Sequence, residues 1–320
     1  MGETVNKLRI VFLGTPEFAA TCLETILDGK HEVVGVVTAP DRESGRGRKT
    51  TQSAVKVIAL ERGLPIAQPE RLRDTDFLAT LKSWNADLGV VVAFRMLPEM
   101  VWAMPKLGTI NLHASLLPQF RGAAPIQRAV MAGATETGAT TFLLSHKIDT
   151  GDILDQTTLQ IGPHEDAGSL HDRILSAGKK LLASSIDLIS EGDYTPTPQG
   201  NLSDQAGMLQ EAHKIFKEDR LIDWTNDAEI VYNQIRGLNP YPCAFTNVVG
   251  TTNSPMKILE GSITDESQLE PGQIDIIDFK MYVGTGTYNV EIHKLQAAGK
   301  GKMDASSYLR GLKNDLTGFS

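Results

Sequence analysis

Residues 110–125 read "INLHASLLPQFRGAAP", a run that begins like a strand yet carries Asn111, His113 and Ser115 at alternate positions. Along an extended backbone these three point to one side, and Ile110, Leu112 and Ala114 to the other. A strand with an apolar face and a hydrogen-bonding face lies at a surface or lines a cleft. Its neighbours in the chain decide between the two.

Upstream, strand-like and helix-like segments alternate. "LRIVFLG" (8–14) is a buried strand, and "PEFAATCLETILDG" (16–29) a helix with Pro16 in its first turn. "EVVGVVTA" (32–39) is a second strand, followed by a helix that starts at Ser53 and stops at Gly63. "LPIAQP" and "DLGVVVAF" are further strands, "TDFLATLKSW" lies between them as a helix, and the short apolar segment "PEMVWAMP" leads to the strand "GTINLHAS". This order predicts a parallel-rich sheet covered by helices, an α/β fold. In such a sheet ligands bind outside the carboxyl ends of the strands, which favours the cleft for residues 110–115.

Downstream, "APIQRAVMAG" predicts a helix, "GATTFLLSHKI" and "GDILDQTTLQI" a pair of strands joined by "DTG", and "SLHDRILSAGKKLLASSIDLISEG" a long closing helix. The Pro-, Thr- and Gly-rich segment 193–210 is the expected linker between a first domain, 1–192, and a second, 211–320. Beyond it only "DAEIVYNQIRGL" is helical. "CAFTNVVG", "MKILEGSIT", "GQIDIIDFKMYVGTG" and "YNVEIHKLQ" are short strands, which implies a small β-barrel or β-rich domain.

The totals are those of an ordinary globular protein: 320 residues, 41% hydrophobic and 22% charged. No apolar run is long enough to span a bilayer, and the N-terminus lacks a signal-peptide layout. Cys22 and Cys243 are the only cysteines, which predicts packed thiols in a reducing cytoplasm rather than a disulfide framework. The net charge of −8 argues against non-specific adhesion to nucleic acid or to an anionic membrane, so any anionic partner is met by placed charges. A monomer is expected.

Chemistry gathers around His113. Asn111 shares its face, and the turn "KIDTGD" offers Asp149 and Asp152 as carboxylate partners. An aspartate in such a turn often caps its own backbone, which is the favoured reading for Asp152. For Asp149 the question is whether the turn meets the end of the His113 strand. If it does, an amide that stabilises an oxyanion, an imidazole that moves protons and a carboxylate that favours the charged ring converge. Ser115 lacks a nucleophile elbow, no zinc spacing occurs, and neither G-x-G-x-x-G nor a P-loop is present. Acyl transfer to a nucleophile carried by the substrate is the chemistry that fits, with no metal. The loop "TAPDRESGRGRKTTQS" sets Arg42, Arg46, Arg48 and Lys49 against Asp41 and Glu43. It is either a solvated surface loop or one that faces phosphates.

These stretches, with "FLGTPEFAA", "VVVAFRMLPE", "IDW" at 222–224 and "IRGLNPYP" at 235–242, together resemble the 10-formyltetrahydrofolate-dependent formyltransferases. The run "NLHASLLPQFRG" followed by "DTGD" carries the family signature, and the "GRGRK" loop with the C-terminal part resembles the branch that acts on tRNA. The resemblance implies a Rossmann-like formyltransferase domain followed by an OB-like barrel. It implies 10-formyltetrahydrofolate as co-substrate and the acceptor arm of methionyl initiator tRNA as partner. It also implies Asn111, His113 and Asp149 as catalytic groups. By the same resemblance Ser115, Leu116, Leu117 and Pro118 form the folate-binding segment, Phe94, Met96 and Leu97 line the pterin pocket, and Arg46 reaches the acceptor arm. Formyltransferases acting on amino sugar nucleotides or purine precursors share the strand signature, and a non-catalytic folate- or RNA-binding scaffold is the further alternative. The family's barrel is basic, whereas residues 206–320 here hold 11 Lys or Arg against 15 Asp or Glu. Either a stripe such as Lys294, Lys300 and Lys302 stands out of an acidic average, or this domain adds less to tRNA affinity.

Overall fold

The computed structural model describes residues 7–44, 49–192, 194–200, 208–249, 255–265, 269–312, 316 and 318–320. They form two compact units, the first made of 1–121, 138–159 and 173–210, the second of 122–137, 160–172 and 211–320. Residues 122–137 and 160–172, which fall within the first expected span, thus pack with the C-terminal part.

The first unit is built on strands β1 (Arg9–Gly14), β2 (Glu32–Val37), β5 (Ile66–Ala67), β6 (Leu88–Val92), β7 (Thr109–His113), β9 (Glu136–Leu143) and β10 (Ile153–Gln160). A small hairpin of β3 (Arg42–Ser44) and β4 (Lys49–Thr51) stands apart, and β8 is the two-residue Arg121–Gly122. The seven-stranded sheet runs in the order β10-β9-β7-β6-β1-β2-β5. Its β5-to-β7 portion is parallel, and β9 joins β7 antiparallel. Continuous apolar runs set the middle of the sheet: every residue of β6 is buried, and Ile10, Val11, Phe12 and Leu13 of β1 are at most 2% exposed.

Helices α1 (Glu17–Leu27), α2 (Ala54–Glu61), α3 (Thr75–Ser83) and α4 (Glu99–Trp102) follow successive strands. Their ends obey local chemistry. The Ser53 hydroxyl accepts from the Lys56 N–H at the start of α2, Gly63 at φ 64° follows its end, and Asp74 caps α3 through the Asp76 N–H.

The second unit holds α5 (Pro125–Met131), the first residues of α6 (Ala167–Glu191), β11 (Glu211–Ala212), α7 (Ala228–Leu238) and α8 (Ala305–Arg310). Its sheet comprises β12 (Ala244–Asn247), β13 (Pro255–Thr264), β14 (Ile274–Ile277), β15 (Lys280–Gly284) and β16 (Asn289–Gln296), with β17 (Met303–Asp304) beside β16. All these pairs are antiparallel, in the order β12-β13-β16-β15-β14. The C-terminus ties the two outer strands: Phe319 bridges to Val248 after β12, and Gly318 bridges to Gln273 before β14. Phe319 stacks on Trp224 at 5.8 Å within a core that includes Val231, Ile235, Ile258 and Leu295.

One expectation changes here. The stretch "GQIDIIDFKMYVGTG" is two strands, not one, turning at Asp278 (φ 52°) and Phe279 (φ 61°). The sequence signal is weak, because Asp278 alone favours this conformation and the phenylalanine that follows it rarely does.

Candidate functional site

The chain passes from β1 outward to β2 and β5, then returns to the other side of β1 as β6 and β7. The order therefore reverses between β1 and β6, and the crevice at the carboxyl ends of these strands is where such sheets bind ligands. His113 is the last residue of β7, and the 93–98 segment leaves β6 at the same end.

His113 is 6% exposed, and its Nε2 lies 2.9 Å from the Phe120 carbonyl oxygen. A carbonyl only accepts, so Nε2 carries the hydrogen and Nδ1 is the nitrogen open to proton transfer. Nδ1 stands 3.8 Å from Asp149 Oδ2. The turn therefore does meet the strand, with the carboxylate just beyond direct hydrogen-bond reach. Asp149 sits at φ 52°, one of the few non-glycine residues in the left-handed region. Asp152 is exposed. Gly151 is required by closeness: a Cβ there would lie 1.7 Å from the Leu143 carbonyl oxygen. Asn111 is half-buried in β7, two residues before His113, and its side chain makes no hydrogen bond among the described residues. Amide, imidazole and carboxylate thus share one end of the sheet.

The residues expected to bind folate divide into two groups. Phe94 and Leu97 are half-buried against the Val91 and Leu144 cluster, and Met96 is 72% exposed beside them in sequence. Arg95 lies over the Phe94 ring at 5.6 Å and donates to the Glu70 and Pro69 carbonyls, fixing the loop. Ser115 is different. The strand ends at His113, so Ser115 leaves the alternating face, is fully buried, and donates to the Gln119 carbonyl at 2.6 Å. Leu117 packs with Phe142 and Ile153, Pro118 is buried, and Leu116 is half-buried. The side chains of Ser115 and Leu117 serve the core and the loop.

Of the basic loop, Arg42 is exposed in β3 and Lys49 begins β4, while Arg46 and Arg48 lie outside the described residues. The root of the hairpin is held by Asp41, which accepts from Lys56 Nζ at 2.5 Å and Gln68 Nε2 at 2.8 Å. The Lys56 hydrogen bond, with that of Gln68, keeps the Asp41 carboxyl below the usual range.

In the second unit Lys294 pairs with Glu260 at 2.9 Å, and Lys300 stands over the Tyr308 ring at 5.4 Å, so the expected stripe is partly neutralised. Another cationic site stands elsewhere in the unit. Lys217, Arg220 and Lys257 line a cavity of about 350 Å³ with Phe245, whose ring carries Arg220 at 5.6 Å. Glu218 and Asp219 stand between Lys217 and Arg220, and Lys257 lies far along the chain, so no charge run announces them. Also unannounced is Gln199, 2% exposed, from the expected linker segment. Among the described residues no group of acidic, His or Cys side chains gathers to hold a metal, and no helix is long and apolar enough to cross a membrane.

The comparison with known families agrees with this architecture. The formyl transferase family matches residues 8–186, and the formyl transferase C-terminal domain matches residues 214–313. The chain belongs to the formyl transferase family. A methionyl-tRNA formyltransferase of Bacteroides fragilis is 45% identical over 311 residues, covering 96% of this chain and 95% of that protein. Among solved structures, the sugar 3N-formyl transferase WlaRD, at 17% identity, superposes over 92% of this chain and 99% of its own with a TM-score of 0.65. HypX from Aquifex aeolicus, crystallised with tetrahydrofolic acid, is 20% identical with a TM-score of 0.64, covering 96% of this chain and 48% of its own. These two establish the fold.

Proposed function

We propose that the protein transfers the formyl group of 10-formyltetrahydrofolate to the α-amino group of methionyl initiator tRNA. The methionine amine attacks the formyl carbon and forms a new C–N bond. The carbonyl oxygen gains negative charge, and the bond to N10 then breaks. One proton leaves the amine and one arrives at N10, so no external reagent is consumed. Asn111 donates its amide to the oxyanion, and His113 carries the proton through Nδ1, because Nε2–H is committed to the Phe120 carbonyl. Asp149, 3.8 Å from that nitrogen, stabilises the imidazolium formed in passing. Phe94, Leu97 and Met96 offer the apolar wall a flat pterin ring needs. Arg42 with its loop, and the Lys217, Arg220 and Lys257 cavity, supply placed positive charge for tRNA phosphates on a chain of net charge −8.

The observation that carries the reading is the His113–Asp149 approach at the carboxyl end of β7, in a chain of this family. The test is a formyl-transfer assay with 10-formyltetrahydrofolate and three acceptors: charged methionyl initiator tRNA, the same tRNA uncharged, and an amino sugar nucleotide. Only the charged tRNA is expected to accept. Preferential formylation of the sugar nucleotide would overturn the proposal. His113→Ala and Asp149→Asn are each expected to lower turnover on the order of a hundredfold or more while folate still binds.

A further inference from the structure

Gln199 lies in a segment whose composition reads as linker, yet residues 194–200 do not behave as one. Thr197 exchanges both backbone hydrogen bonds with Ile153 at the start of β10, each 2.8 Å long. Two residues on, the Gln199 side chain turns inward and is 2% exposed. Its Oε1 accepts from Arg121 Nε at 3.0 Å and from Arg121 Nη2 at 2.6 Å. Its Nε2 donates to the Asp149 carbonyl at 3.0 Å and to the Gly151 carbonyl at 2.7 Å. The orientation of the amide is unambiguous. A guanidinium only donates, so the oxygen must face Arg121, and backbone carbonyls only accept, so the NH2 must face the turn.

The partners at the two ends of this bridge are the groups that bracket His113. Arg121 directly follows Phe120, whose carbonyl accepts from His113 Nε2. Phe120 is itself held at φ 56°, with its N–H donated to the Gln210 carbonyl at 2.7 Å. The other end grips the turn that presents the Asp149 carboxylate to His113 Nδ1, with Asp149 in the left-handed region. Seen from the ring, one side is set by the 119–121 loop and the other by the 149–151 turn. Among the described residues, the Gln199 side chain joins these two.

From this bridge we infer that Gln199, oriented by Arg121, is a positioning residue that fixes the distance between the Asp149 carboxylate and His113. The inference rests on the proposed role of Asp149. Gln199 touches neither His113 nor the Asp149 carboxylate in these contacts, so its effect travels through the backbone of the turn. Small displacements matter here, because misplacing a catalytic group by about 1 Å costs up to about a hundredfold in rate.

The informative replacement is Gln199→Glu. A carboxylate still accepts from Arg121 but cannot donate, and it sets negative charge against two carbonyl oxygens. Turnover is expected to fall by about tenfold or more, with KM for 10-formyltetrahydrofolate and for methionyl-tRNA unchanged within about twofold. The decisive measurement is a cycle with Asp149→Asn under single-turnover conditions. If Gln199 acts through the carboxylate, adding Gln199→Glu to Asp149→Asn changes the residual rate by less than about twofold. Losses that multiply, a normal rate in Gln199→Glu, or a change confined to KM would each overturn the inference. Arg121→Lys, which keeps the charge but loses the two-point grip, runs through the same cycle and decides the question should Gln199→Glu not fold. A normal rate in Asp149→Asn alone is a separate outcome, sinking the catalytic assignment of Asp149 and with it anything for Gln199 to position.

Discussion

His113 shows how much a single hydrogen bond can decide. Because the Phe120 carbonyl takes Nε2–H, the ring's other nitrogen is the one left for the proton transfer we propose, on the side where Asp149 stands. Asn111 occupies the same strand face and spends its amide on no described partner. If Asn111 is the proposed oxyanion donor, its loss matters at turnover rather than in folding. Asn111→Ala should lower the single-turnover rate of formyl transfer about a hundredfold while the melting temperature stays near that of the parent. A rate within about twofold of the parent would remove Asn111 from the oxyanion site. Sequence alone names these residues because their types and spacing on a strand are local information. It also groups Ser115 with them, and here the alternation breaks: the strand stops at His113, and Ser115 turns in to the Gln119 carbonyl. Gln199 is illegible for the opposite reason. Its partners are 48 to 78 positions away along the chain, beyond the reach of any periodicity.

At the scale of elements, the β9–β10 turn joins tight packing at Gly151 to the carboxylate proposed to serve His113. Gly151 carries no unusual φ, but a methyl group there would collide with the Leu143 carbonyl, and its own carbonyl is gripped by Gln199. Gly151→Ala must push the turn away from β9. The expected cost is about 1–3 kcal/mol, the range for overpacking, read as a lowered melting temperature. Turnover should fall further than that loss of stability explains, since the same shift moves Asp149. Parent-like values for both would show the turn to be more yielding than its contacts imply. Helix limits are easier to read than this turn, because Ser53, Asp74 and Gly63 are chemical signals next to the ends they set. The β14–β15 hairpin is harder to read because only Asp278 favours a left-handed position, while Phe279 beside it is held there by the strands on either side.

For the whole molecule the governing fact is charge. A chain of net charge −8 must engage an anionic polymer through local sites. Lys217, Arg220 and Lys257 converge on one cavity although the C-terminal part is acidic on average, and Lys294, which the sequence suggests, is answered by Glu260. Each cation that contacts a phosphate releases a counterion on binding, so the number of such contacts is written in the salt dependence of affinity. Lys257→Ala is therefore expected to weaken binding of methionyl-tRNA and to reduce the slope of log affinity against log salt by about one. Lys294→Ala should leave that slope unchanged, because its charge already has a partner. Folate affinity is the internal control and should be the same in both variants. Filter binding or fluorescence titration across several salt concentrations makes the comparison. Equal slopes in Lys257→Ala and the parent would mean that the cavity faces solvent in the complex, leaving the β3–β4 hairpin with Arg42 as the charge that meets the acceptor arm.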